Sequence, residues 1–332
     1  MKTVYYLSLE PLEMRYTKMQ DRVTQEAFKR ANYKLEAIGG DTLSDSIKTG
    51  AFLDSNSTNY FKFSQLRNIA KMFSDGKIKD GSIFYVSDLW FPGLEAIKYM
   101  AFFQKIDIKI YGIFHAGSFT PTDFVNGMKN WAAFFERGWL RMVDGVFVGT
   151  EQVRQDLLRT FTLGFEELEK IHVTGLAYDS KEVEKYLSEK ENIIVFPHRL
   201  HKEKQPELFD KLAQYVNAEC IKTHEHNFSK KEYYELLGRS KVLYSASLQE
   251  NFGYSVLEGC SLKVTPVLPF NNTDYKYIYP PAVLYKSFEE SVDMVKRFLQ
   301  YPIDLSHIPR QFDKSVDRQV EVIRNGKDFP CC

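Results

Sequence analysis

Cysteine is scarce. The four present, Cys220, Cys260, Cys331 and Cys332, stand at no spacing that ligates a metal or frames a set of disulfides, so a reducing compartment is the simpler expectation. An excess charge of either sign is also missing. The 44 Lys and Arg residues balance the 44 Asp and Glu, which removes the overall cationic footprint of a constitutive binder of nucleic acid or anionic membrane and leaves only local patches. No apolar stretch approaches the ~20 residues that a membrane span needs. The opening MKTVYYLSLEPLEMRY is short, is broken by Glu10 and Glu13, and lacks a small-residue cleavage site, so it is read as a first strand rather than a secretory signal. A cytoplasmic protein without membrane association is therefore expected, and its three Asn-x-Ser/Thr matches carry no glycan. Low-complexity, Pro-rich and single-charge blocks are absent, as are repeats of the solenoid kind.

What is present is enough apolar material for two cores. At 332 residues, 44% hydrophobic and 15% aromatic, the chain suits two domains of ~150 residues each. Strands and helices alternate throughout, the pattern of α/β folds with parallel sheets. Strands are expected near residues 3–9, 34–38, 82–87, 108–115, 145–149 and 171–174 in the first half, with helices such as 59–73 and 94–104 between them. The theme repeats near 192–197, 219–223, 242–245, 264–268 and 283–285. Tyr178 to Glu191 is charged and poor in apolar residues, which suggests a linker between domains at 1–180 and 190–310.

The most informative stretch is Tyr244 to Pro269, YSASLQENFGYSVLEGCSLKVTPVLP. An apolar strand leads to Glu250, a break at Asn251-Phe252-Gly253-Tyr254 lets backbone approach a ligand closely, and a helix over 255–262 carries Glu258 about one turn in. A helix N-terminus presents unpaired N–H groups and partial positive charge, which suits a diphosphate. Glu258 is placed to accept two hydrogen bonds from a ribose diol, and Glu250 to meet hydroxyls of a sugar beyond the phosphates. Upstream, in FPHRLHKEKQPELF, Arg199 follows another apolar strand and Lys204 follows Arg199 by five residues, just before a helix opening at Pro206.

Two glutamates separated by seven residues, with Phe-Gly between them and a Thr-Pro-Val-Leu-Pro strand after, resemble the donor site of retaining GT-B glycosyltransferases of the family 4 kind. The Arg199 and Lys204 pair completes that resemblance. It implies an α/β GT-B fold of two Rossmann-like domains with parallel sheets facing a central cleft. The first domain would serve the acceptor and the second the nucleotide-sugar donor, with a C-terminal helix in 311–332 returning to the first domain. The activity implied is transfer of a sugar from a nucleoside diphosphate, here a UDP-sugar, with retention and with no further cofactor or metal. Arg199 and Lys204 would stabilise the leaving diphosphate, Glu250 would act in catalysis, and Asn251, Phe252, Gly253, Tyr254 and Glu258 would complete the donor site. There is no Asp-x-Asp, the motif by which the other main glycosyltransferase fold holds a metal-bound diphosphate. The family usually has Gly after the Lys, where this chain has Gln205, and a Gly-rich loop after the first strand, where this chain has SLEPLEMRYTK.

Ligands of open α/β sheets bind beyond the carboxyl ends of strands. His115 ends such a strand, and the resemblance gives it a place facing the donor sugar; a backbone-bonded structural histidine is the plain alternative. Glu10, Arg15, Tyr16, Asp88 and Trp90 occupy comparable positions as acceptor-side contacts, although Asp88 serves equally as a turn cap. His224-Glu225-His226 lacks the third and fourth ligands of a zinc site and is expected to be a loop, which the resemblance places where the nucleobase is contacted. The aromatic runs WFPGLEAIKYMAFFQK and NWAAFFERGWLRM have helical spacing and are expected to lie mostly in the core, with Trp90, Phe91 and Trp139 reaching the cleft. First-domain runs such as GAFLDSNSTNYFKFSQL are similar to glycosyltransferases of tailed bacteriophages. That likeness makes a hydroxymethylated base in phage DNA the expected acceptor, with the host cytoplasm as the location. The alternatives are a bacterial surface glycan or small molecule as acceptor, or a non-catalytic sugar-nucleotide-binding protein. Oligomeric state is not legible.

Overall fold

The computed structural model describes residues 2–10, 16–43, 55–121, 123–271 and 273–325. Two compact units divide the chain, the first running to Ala177 and taking up the chain again at Ser315, the second comprising Tyr178–Lys314. In the first unit β1 (Thr3–Leu7), α1 (Thr17–Arg30), β2 (Lys34–Ile38), α2 (Ser55–Ser74), β3 (Ser82–Val86) and α3 (Leu94–Gln104) alternate. They are followed by β4 (Ile108–Ile113), α4 (Lys129–Met142), β5 (Gly145–Val148), α5 (Glu151–Thr160), α6 (Phe165–Glu169) and β6 (Ile171–Val173). The second unit holds α7 (Ser180–Glu184), β7 (Glu191–Phe196), α8 (Pro206–Ala213), β8 (Glu219–Lys222), α9 (Lys230–Arg239), β9 (Ser240–Tyr244) and α10 (Tyr254–Ser261). After these come β10 (Thr265–Pro269), α11 (Tyr275–Ile278), β11 (Leu284–Tyr285), α12 (Phe288–Gln300) and α13 (His307–Arg310), and α14 (Ser315–Asn325) then belongs to the first unit.

Both sheets are parallel. The first has the order β2-β1-β3-β4-β5-β6 and the second β11-β10-β9-β7-β8. Parallel strands covered on both faces need apolar residues at nearly every position. SIFYV of β3 and GVFV of β5 are buried throughout, and β7 is buried over its last four residues. Each order reverses direction once, between β1 and β3 in the first sheet and between β7 and β9 in the second. These switch points are where loops at the carboxyl ends diverge and leave room for a ligand.

Two expectations are corrected. Residues 178–191 are not an open linker, because they contribute α7 to the second unit, and Tyr178 is fully buried with its hydroxyl 2.9 Å from Ser261 Oγ. The aromatic runs are also less internal than their spacing suggests. Tyr99, Phe102 and Phe103 on α3 and Trp131, Phe134 and Phe135 on α4 are exposed, whereas Phe91 and Trp139 are buried. The physical reason is that helical spacing groups the aromatics on a stripe without saying that the stripe faces inward: on α3, Tyr99, Phe102 and Phe103 share one side and smaller apolar residues occupy the opposite one. α3 buries Leu94, Ile97 and Ala101, and α4 buries Ala132, Glu136, Trp139 and Leu140, so periodicity alone does not choose the inward stripe.

The final helix is tied into the first unit by polar and apolar contacts together. Val316, Val320 and Ile323 are buried, Gln319 Nε2 donates to Thr174 Oγ1 at 3.0 Å while its carbonyl accepts from the Tyr85 hydroxyl, and Arg30 pairs with Asp317 at 2.8 Å. Among the described residues no helix is long and apolar enough to cross a membrane.

Candidate functional site

The loops beyond β7 and β9, at the switch point of the second sheet, bring the upstream cations to the first glutamate. After β7 the chain makes a short helical turn over Lys202–Lys204 and enters α8 at Pro206, whose missing N–H suits a first helical position. The backbone N–H of Leu248, in the β9 loop, donates to Glu203 O at 2.8 Å and latches the two loops together. Lys204, 8% exposed, donates to Glu250 Oε2 at 2.9 Å and to Gln249 O at 3.1 Å. Arg199 Nη2 bonds Glu203 Oε1 at 2.8 Å. Burial presses the Glu250 carboxyl upward, but Lys204, His198 and Arg199 together outweigh it and hold the carboxyl below its ordinary range. The result is an ionised carboxylate with a buried ammonium against it.

The turn between the glutamates is built around Gly253, whose φ of +69° lies in the left-handed region. A Cβ there would also lie 2.8 Å from Tyr275 Cε1, so both conformation and space call for glycine. Phe252 is buried against Tyr254 and Phe312, at ring-centroid distances of 5.0 and 4.9 Å. Its side chain anchors the turn, and any ligand contact would come from its backbone. Asn251 Oδ1 accepts from Gln249 Nε2 at 3.4 Å. Glu258, on α10, meets α9: its carboxylate accepts from Lys230 Nζ at 2.8 Å, Tyr234 Oη at 2.9 Å and Tyr233 Oη at 3.0 Å. Beyond β8, His224 lies in a turn over Thr223–Glu225, and the His226 ring stacks on Phe228 at 4.9 Å. No group of three or more His, Cys, Asp or Glu side chains among the described residues is arranged to hold a metal ion.

Gln205 stands where the resembling family has glycine, and its φ of +50° and ψ of 56° show that the loop keeps a left-handed conformation there. A non-glycine residue in that region costs roughly 1–2 kcal/mol, partly offset by the entropy that glycine gives the unfolded chain. Gln205→Gly is therefore expected to leave stability unchanged or raise it by up to about 1 kcal/mol. Gln205→Val, stiff at Cβ, should lower it by at least as much. Urea midpoints of the two variants check both signs.

Two residues of this site carry no motif signal. His198 directly precedes Arg199, is 5% exposed, packs edge-on to Phe196 at 5.2 Å, and leaves Nε2 without a partner among the described residues. Burial, then repulsion from Lys204, pushes its imidazole from 6.5 down to about 3. Asp274 is fully buried beside Glu250: its N–H donates to Glu250 O at 3.1 Å, while neither carboxyl oxygen has a partner among the described residues. Burial, and then the charge of Glu250, push that carboxyl well above its ordinary range.

His198 gives a pH prediction with a definite sign. Its folded value is depressed, so the unfolded chain binds the additional proton between pH 6.5 and about 3. Stability is retained above 6.5 and falls as the pH drops through that window, by about 1.4 kcal/mol per pH unit from this residue. Denaturant midpoints measured from neutral to acid pH should show this slope, and His198→Gln should make it shallower.

In the first unit the residues beyond β1, β3 and β4 form a separate cluster. His115 Nε2 donates to Ser87 O at 2.9 Å, which places the ring proton on Nε2, and Tyr16 lies beside the ring at 6.1 Å. Burial, the largest influence, lowers the His115 imidazole below the ordinary histidine range despite Asp88. Asp88 pairs with Lys62 at 2.8 Å and accepts from Trp90 N at 3.1 Å, so the expected turn-capping role is present. Trp90 Nε1 donates to the fully buried Glu136 at 2.8 Å. Glu10 is buried, and Arg15 lies outside the described residues.

With two parallel-sheet units in these orders, the fold is GT-B. Solved structures similar to this chain include sucrose-phosphate synthase from Thermosynechococcus elongatus, at 12% identity and a TM-score of 0.67 over 98% of each chain. Anabaena HepE in complex with UDP and glucose is similar at 8% identity and a TM-score of 0.63, over 98% of this chain and 100% of that one. The pneumococcal O-GlcNAc transferase GtfA in complex with UDP and GlcNAc is similar at 10% identity and a TM-score of 0.59, over 97% and 98%. No protein-family model matches the sequence, and no curated protein matches it.

Proposed function

We propose that this chain is a retaining glycosyltransferase that takes a sugar from a nucleoside diphosphate, UDP in the first instance, and transfers it to an acceptor hydroxyl. The observation that carries the reading is the pair of buried Lys204 and half-buried Glu250 at the switch point of the second sheet, with Arg199 on the same loop as Lys204 and Glu258 on the helix after Glu250. The GT-B fold, shared with proteins whose structures hold UDP with glucose or with GlcNAc, supports it.

In the proposed reaction the bond between the anomeric carbon and the β-phosphate oxygen breaks, and its electron pair leaves with the diphosphate. Lys204 spends two of its three ammonium donors on Gln249 and Glu250, so the third serves a phosphate oxygen. Arg199 and the amides at the start of α10 add positive charge where the leaving group gains negative charge. The acceptor oxygen attacks the same face of the sugar and gives its proton to the departing phosphate, so no protein nucleophile is needed. Glu250, kept ionised, receives hydroxyls of the sugar, and Glu258 receives those of the ribose. His115, neutral with its proton on Nε2, is proposed to serve the transfer step from the first unit, where Tyr16, Asp88 and Trp90 belong to the acceptor side.

For the acceptor, the likeness of first-unit runs to phage glycosyltransferases supports a hydroxymethylated base in DNA. A duplex hides such a group, so the base would have to be extruded at a cost of a few kcal/mol. The test offers a panel of UDP- and GDP-sugars with hydroxymethylated duplex, unmodified duplex and simple glycans, followed by mass spectrometry of digested products. A glycosylated nucleoside only from the modified duplex is the expected result. A modified glycan with untouched DNA would overturn the acceptor and keep the transferase. No product or donor hydrolysis from any combination would favour a sugar-nucleotide-binding protein.

A further inference from the structure

The surroundings of Glu258 extend the donor-site reading and rest on it. A carboxylate offers about four lone-pair positions across its two oxygens. Glu258 Oε1 already accepts from Lys230 and Tyr234, and Oε2 accepts from Tyr233. That leaves one position, on Oε2, whereas a ribose diol brings two hydroxyl donors. One of the present partners has to leave for the diol to bind fully.

The three partners differ in how easily they can withdraw. Tyr234 is 6% exposed and its ring lies against Tyr186 at 5.3 Å, with Tyr233 beside it at 5.5 Å. A phenol hydroxyl moves only with its ring, and these rings are held by their neighbours. Lys230 stands on a flexible four-carbon stem at the first position of α9, with 41% of its side chain exposed. Its ammonium lies over the Tyr234 and Tyr233 rings, at 4.6 and 5.3 Å from their centroids, and water is available to it on leaving.

We propose that Lys230 is a placeholder on Glu258. In the nucleotide-free protein it fills the acceptor position that the donor's ribose takes, and a ribonucleoside diphosphate expels it. Tyr233 and Tyr234 remain and fix the direction of the carboxylate. The placeholder keeps Glu258 paired when the site has no nucleotide, and it sets a threshold that only a ligand with both ribose hydroxyls overcomes, which makes Lys230 a specificity-determining residue.

The experiment is calorimetric titration of UDP and of 2′,3′-dideoxy-UDP into the wild-type protein, Lys230→Met and Lys230→Arg. The ratio of the two Kd values cancels whatever the lysine charge contributes to attracting the diphosphate. Removing the competitor should enlarge the preference for UDP by about 1.5- to 5-fold in Lys230→Met, the range for breaking a partly exposed ion pair. Lys230→Arg, which keeps a cation on Glu258, should stay near the wild-type ratio. An unchanged or smaller ratio in Lys230→Met overturns the placeholder while leaving the donor site in place. If the wild-type protein binds both nucleotides equally, Glu258 does not meet a ribose, and if it binds neither of them nor their guanine counterparts it has no nucleoside-diphosphate site; in either case the donor-site reading falls together with this inference.

Discussion

Lys204→Met is expected to lower kcat about 100-fold with a small change in KM for the sugar nucleotide. Charge on the diphosphate grows as the glycosidic bond breaks, so a cation fixed beside it binds the transition state more strongly than the ground state. Losing about 3 kcal/mol of that difference corresponds to two orders of magnitude in rate. Methionine keeps much of the side-chain volume, which matters because Lys204 is buried. The substitution has a second effect that needs separating. Lys204 is also the close partner of Glu250, at 2.9 Å, and its removal leaves a carboxylate in a poorly solvated position. The double variant Lys204→Met/Glu250→Gln distinguishes the two: it should recover stability by relieving the unpaired charge, yet remain slow. A rise in KM alone, with kcat unchanged, would make Lys204 a uniform binder of ground and transition states and remove it from catalysis.

The fold was legible because its information is local. Each expected strand is present within two residues of its place, since apolar runs bounded by turns are what a doubly covered parallel sheet requires. The glutamate spacing and the Arg199-to-Lys204 interval were legible for a similar reason, as each is a short pattern fixed by one loop. What the chain hides are properties set by partners distant in sequence. Nothing in KKEYYELL says that two tyrosines and a lysine will converge on a carboxylate more than 20 positions later. His198 is one residue from a recognised position, yet its burial follows from the packing of Phe196 and the neighbouring loops. Asp274 follows a strand whose composition gives no warning of a buried carboxyl without a partner among the described residues. The exposed aromatics of α3 and α4 fail in the opposite sense. Helical spacing gave a stripe, but the inward faces are taken by Leu94, Ile97 and Ala101 on α3 and by Ala132, Glu136, Trp139 and Leu140 on α4, a choice set by the sheet and helices packed against them.

Glu258→Gln should weaken binding of the nucleoside diphosphate by roughly 10- to 100-fold while leaving the second unit folded. Hydrogen bonds to a charged acceptor contribute on the order of 1.5–3 kcal/mol, which converts to that range of affinity. The fold should survive because the neighbours can adjust. Glutamine retains one acceptor oxygen for a tyrosine hydroxyl, its amide can donate to the other phenol oxygen, and Lys230 can turn to solvent. The loss should be specific to the ribose. Affinity for 2′,3′-dideoxy-UDP should change little between Glu258→Gln and the wild-type protein, because that ligand cannot use the carboxylate in either. Turnover at saturating donor should also be nearly preserved, since the ribose is remote from the bond that breaks and its contacts are made equally in ground and transition states. Calorimetry with the two nucleotides, with thermal unfolding as the control for folding, decides the matter. Equal affinity of wild type and variant for UDP would leave Glu258 as a structural carboxylate that joins α9 to α10, with the ribose bound elsewhere.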